Sequence, residues 1–149
     1  MPNQPGRVFV SYLREDSLRV KQIVRALEAA GVPTWIDVDD LKPGLRWKSQ
    51  IREAVSRAPL VLLCISEAYG RREKTYLNEE LTLMIEELRQ RRVDRPWLLV
   101  LRLDDCPVPA RPIGAGETME DLQRIDAFPD PNAAVRHVVE ALASSSAQE

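Results

Sequence analysis

Leu60-Val61-Leu62-Leu63-Cys64-Ile65 is an unbroken apolar run. A strand with one wet face alternates polar and apolar residues; a strand covered on both faces has no reason to, and such a run is the mark of a central strand in a parallel sheet. Helical patterns flank it. Upstream, Trp47, Ile51, Ala54, Val55 and Ala58 fall at i, i+4, i+7, i+8 and i+11, one buried stripe of a helix. Downstream, Leu77, Leu81, Met84, Ile85 and Leu88 repeat that spacing in a helix expected to run from Thr75 to about Arg91. The charged stretch Ser66 to Lys74, with Gly70, joins strand to helix.

The alternation continues outward. Arg7 to Tyr12 (RVFVSY) reads as a first strand and Pro33 to Ile36 (PTWI) as a second. Between them Val20, Ile23, Val24 and Leu27 share one helix face, with Asp16 or Ser17 as cap and Gly31 as stop. Asp37 to Leu45 is an acidic loop with a Pro43-Gly44 turn. Pro96 to Leu103 is a fourth strand, Asp104 to Gly116 is expected to be irregular, and a last strand is expected within Leu122 to Phe128. Asp130 then Pro131 opens a final helix with Val135, Val138, Val139 and Leu142 on its apolar face. Strict alternation predicts an α/β, flavodoxin-like three-layer sandwich: a five-stranded parallel sheet of order 2-1-3-4-5 with helices on both faces. Residues 1–6 read as a disordered lead, 7–143 as the domain, and 144–149 as a tail or a linker to a further domain.

Composition excludes several classes. The 149 residues suit one domain, and a net charge of -2 leaves no electrostatic footprint for nucleic acid or an acidic membrane. No apolar run is long enough to span a bilayer and no signal peptide precedes Arg7, so the expectation is a cytoplasmic protein. Cys64 and Cys106 match no metal or redox spacing, and Cys64 lies inside the central strand. The single histidine, His137, falls on the last helix as a structural or surface residue, and no metal site is expected. There is no G-x-G-x-x-G, no G-x-x-x-x-G-K-[ST] and no G-x-S-x-G. Strand one ends Ser11-Tyr12 without a receiver domain's acids, and LREDS after it is not a flavin phosphate loop.

In a sheet of this order ligands sit at the carboxyl ends of strands one and three, where the winding reverses. That places Tyr12 to Asp16 and Ser66 to Tyr69 at the crevice. On the helix after strand three, Glu79 points away from the apolar stripe, whereas Glu80 lies about 85° from its centre, at the edge of the buried face. Tyr76 stands four residues earlier over the same edge. Helix phase and topology therefore bring Glu80 to one crevice; the competing role for it is complementing the helix N-terminus.

These residues resemble the Toll/interleukin-1 receptor (TIR) domains, especially bacterial members. Val8-Phe9-Val10-Ser11-Tyr12 followed by Asp16 resembles the family's first box. Trp35-Ile36-Asp37, then Leu41-x-Pro43-Gly44-x-x-Trp47, resembles its second strand and BB loop. Leu63-x-Ile65-Ser66-x-x-Tyr69 resembles the third strand and exit loop, and Tyr76-x-x-x-Glu80-Leu81 resembles W-x-x-x-E-[LI], with tyrosine in place of tryptophan. The resemblance, spanning about Arg7 to Leu142, implies cleavage of the nicotinamide–ribose bond of NAD+, with Glu80 catalytic. On that reading Tyr12 and Tyr76 are aromatic walls, and Ser11, Arg14 and Ser66 are polar contacts to substrate. NAD+ is then a substrate and no cofactor is implied. The resemblance also implies an immune effector that self-associates with other TIR domains through the BB loop, with Asp37, Asp40, Pro43, Gly44 and Trp47 in that contact. A non-catalytic TIR–TIR scaffold is the alternative it leaves open. Trp47 also fits as a core anchor, and Asp37, Asp39 and Asp40, like Arg71, Arg72 and Lys74, fit as solvated surface.

Overall fold

A computed structural model describes residues 6–36, 46–71, 76–91 and 96–147; at 47, 76–79 and 145–147 it describes the backbone alone. The central element is β3 (Val61–Ile65), every residue of which is buried. It pairs in parallel with β1 (Val8–Ser11) on one side and β4 (Leu98–Arg102) on the other. β2 (Thr34–Ile36) adds beside β1, and β7 (Arg124–Asp126) beside β4. The order β2-β1-β3-β4-β7 is the expected 2-1-3-4-5.

Alternation along each strand divides the core into two layers. Val8, Val10, Leu62 and Cys64 face α1 (Ser17–Ala29) and α5 (Pro131–Ala147). Phe9, Val61, Leu63 and Ile65 face α2 (Trp47–Arg57) and α4 (Tyr76–Leu88). A one-turn helix, α3 (Glu67–Gly70), follows β3. The helices sit where their apolar stripes predict: Val20, Ile23, Val24 and Leu27 of α1, Ile51 and Val55 of α2, and Leu81, Met84 and Ile85 of α4 are buried. Gly31, at φ +87°, ends α1. Asp130 Oδ1 accepts from Asn132 N at 3.0 Å, which is the expected cap before Pro131.

Four details differ from the sequence reading. Asp16 occupies the cap position of α1, but its carboxylate makes no capping bond and turns elsewhere. Asp104 to Gly116 is not wholly irregular: β5 (Pro112–Gly114) pairs antiparallel with β6 (Glu117–Thr118) around a turn at Gly114, Ala115 and Gly116, all with positive φ. The apolar face of α5 is rotated, so that Ala134 and Ala141 are buried while Val139 is 38% exposed. The same helix continues to Ala147, into the stretch whose composition suggested a tail. No helix among the described residues is long and apolar enough to cross a membrane.

Candidate functional site

Ser11 is the last residue of β1 and continues the face of Phe9, toward α4. Glu80 lies on α4, one residue before fully buried Leu81. The two meet: Ser11 Oγ donates to Glu80 Oε1 at 2.8 Å, with the residues 0% and 1% exposed. Helix phase predicts Glu80 at the edge of the buried face; in the structure it lies inside it.

A second serine–carboxylate pair lies across the sheet. Ser66 Oγ donates to Asp16 Oδ2 at 2.8 Å, and both residues are buried. Ser66 follows Ile65 in extended backbone and so continues the face of Cys64, in the α1/α5 layer, opposite to Ser11 and Glu80. Asp16 Oδ1 also accepts from Arg19 at 2.9 Å. Arg19 reaches Leu103 O at 3.4 Å and Asp104 at 3.7 Å. Asp104 accepts from Glu67 N at 3.1 Å, at the start of α3, while Ser66 Oγ caps that turn by accepting from Ala68 N. The exits of β1, β3 and β4 are thereby tied into one ring of bonds. Arg19 and Asp104 were not singled out by sequence; the available signal was the i, i+3 spacing of Arg19 from Asp16.

The other sequence candidates separate. Tyr12 is half-buried against the α1/α5 layer and Arg14 is exposed in a short 3-10 turn, Arg14–Asp16. Tyr76 opens α4 and Trp47 opens α2, both described by backbone alone. Asp37, Asp40, Pro43 and Gly44 lie outside the described residues. His137 is exposed on α5.

Both thiols are held above the ordinary cysteine range. Burial, and then the charge of Asp16, push Cys64 up to about 12. Burial, and then a hydrogen bond with Asp104, push Cys106 up to about 11. Among the described residues no group of three or more His, Cys, Asp or Glu could hold a metal. A cavity of about 530 Å³ opens near the start of β4, between Arg89, Trp97, Gly114 and Gln123, at the end of the sheet opposite the one where Ser11 lies.

The arrangement thus offers one buried carboxylate oriented by a strand hydroxyl.

A family model described as TIR domain matches residues 8–139. The TIR domain of the Toll-related receptor TRR-2 from Hydra magnipapillata is similar at TM-score 0.67 and 16% identity, over 91% of this chain and 97% of that one. A metazoan TIR-STING receptor from C. gigas, solved with 2',3'-cGAMP, is similar at TM-score 0.70 and 20% identity, over 94% of this chain and 40% of that one. The TIR domains of the activated Roq1 resistosome, which directly recognises the pathogen effector XopQ, are similar at TM-score 0.58 and 24% identity, over 68% of this chain and 60% of that one. This chain therefore spans less than two thirds of the last two. At these identities the likeness is one of fold. No curated protein matches the sequence.

Proposed function

The chain belongs to the TIR-domain family, and from that premise we propose that it cleaves NAD+ between nicotinamide and ribose, as a glycohydrolase or cyclase. The observation that carries the reading is Glu80, a buried carboxylate held by Ser11 where β1 ends. Nicotinamide in NAD+ is a pyridinium and departs as a neutral molecule. Its leaving needs no general acid, so a single carboxylate suffices where ordinary glycosidases need two. The remaining task is to stabilise the positive charge that develops on the ribose, and a carboxylate in a water-poor site does so strongly. Tyr76 would wall the ring and Arg14 would offer a polar contact to substrate, whereas Tyr12 packs against the opposite layer and is left out of the site. NAD+ is the substrate, and no cofactor or metal takes part. The biological role proposed is that of a bacterial immune effector, switched on by self-association through the loop from Asp37 to Trp47.

Burial gives the reading a consequence. A carboxylate at 1% exposure does not touch a ribose until its cover opens. The isolated chain is therefore expected to turn over slowly, and assembly to open the site. The same burial favours a second reading, in which Glu80 is an internal strut and the domain is a non-catalytic TIR–TIR scaffold.

Glu80→Gln separates the two. Glutamine keeps an acceptor for Ser11 but removes the charge. If Glu80 is catalytic, nicotinamide release measured by chromatography falls at least about a hundredfold while the circular dichroism melt stays close to wild type. Retained turnover in the folded variant rejects the catalytic role.

A further inference from the structure

A glutamate carboxylate sits at the end of three rotatable bonds, and catalysis requires it in one orientation. A hydroxyl on a fully buried strand bonds it here. Ser11 is a strand residue in register with Leu63 of the fully buried β3, and its own exposure is 0%. Its hydroxyl proton goes to Glu80 Oε1 at 2.8 Å.

We propose that Ser11 is a positioning residue for Glu80, fixing the carboxylate that faces the ribose and not touching the substrate itself. The role rests on the reading of Glu80 as the catalytic carboxylate. Three features support it. The hydroxyl has one proton and spends it on Oε1, so it has none to donate to a sugar or phosphate oxygen. The bond joins strand to helix across 69 residues of sequence, so it fixes Glu80 against the sheet and not merely within its own helix. The pair lies in the apolar layer of Phe9, Leu63 and Leu81, where a bond to a charged group is strong and a misplaced carboxylate finds no water to replace it. Loss of about an ångström of placement in such a site costs on the order of a hundredfold in rate.

The test is steady-state NAD+ cleavage by S11A, S11C and S11T, with E80Q as reference. S11A is expected to lose about ten- to a hundredfold in kcat with KM within about twofold of wild type. S11T, which restores a hydroxyl, is expected to recover most of that loss. S11C, nearly isosteric with a weaker donor, is expected to fall between, and it keeps the test open if the extra methyl of S11T does not fit the strand. In the E80Q background S11A is expected to add little, because the group it positions is already disabled. If S11A raises KM at unchanged kcat, Ser11 contacts substrate and the positioning role falls while the enzyme reading stands. If S11A lowers kcat as much in E80Q as in wild type, the effect does not pass through Glu80 and the role also falls. A wild-type chain that releases no nicotinamide at any concentration overturns the enzyme reading and this role together.

Discussion

Asp16 shows what a buried charge does when it is fully partnered. One oxygen takes the Ser66 hydroxyl and the other the Arg19 guanidinium, and the side chain is 2% exposed. Asp16→Ala would leave Ser66 without its acceptor and Arg19 without its near charge. Breaking such a buried pair costs about 2–4 kcal/mol, to be read as a lower urea midpoint at unchanged slope. Asp16→Asn keeps an acceptor for Ser66 and is expected to lose roughly half as much. Equal stability of wild type and Asp16→Ala would mean that the ring of bonds contributes nothing. At this scale the sequence was only partly legible. The position of Asp16 after Ser11-Tyr12 flagged it, but its local chemistry suggested a helix cap, and its real partner lies 50 residues away. For Glu80, helix phase gave the edge of the buried face, and the structure puts the residue inside it. Phase alone could not show that a strand hydroxyl was waiting to take the carboxylate into the core.

Among the elements, β7 is the edge strand whose seat on β4 depends most visibly on charge. Arg102 and Asp126 are register partners, and the guanidinium grips the carboxylate with two bonds, at 2.7 and 2.9 Å, while lying over Phe128. The hydrogen bond from Arg102 holds the Asp126 carboxyl below its ordinary range. A carboxyl with a depressed folded-state value stabilises the fold above its unfolded value, near 4, and that contribution fades as pH falls through the folded value. Asp126→Asn is therefore expected to lower the melting temperature at neutral pH and to flatten its decline between about pH 5 and pH 3. The effect is modest because Asp126 is 38% exposed and solvent screens the pair. Melting curves across that range check it; an unchanged acid slope would assign the acid sensitivity to other carboxylates. The β5–β6 hairpin was illegible for a different reason. Its strands have three and two residues, too few to show a period of two, and its turn uses Ala115 at φ +55°, where glycine is the usual occupant. Val139 misled because α5 packs through small residues, Ala134 and Ala141, which a search for large apolar side chains passes over.

For the whole molecule, the reading from sequence succeeded where many residues voted together. Six consecutive apolar residues from Leu60 to Ile65 and four amphipathic helices around them leave few arrangements other than a parallel sheet covered on both faces. The same topology brings Ser11 and Ser66 to one end of the sheet, and the structure adds that each is bonded to a carboxylate on its own side. This has a consequence for how the proposed enzyme would be controlled. Ser11 and Glu80 are each at most 1% exposed, so in the single chain the carboxylate is covered. If a second copy supplies the contact that opens it, the active species is an oligomer, and specific activity depends on protein concentration by mass action. NAD+ cleavage per chain is expected to rise steeply over the range in which light scattering first detects association, and to plateau once association is complete. Fusion to an unrelated oligomeric scaffold should move that rise to lower concentration without altering the plateau. A rate per chain that is constant from the monomeric to the associated range would show that the carboxylate is uncovered within a single copy, and that assembly, if it occurs, serves some other end.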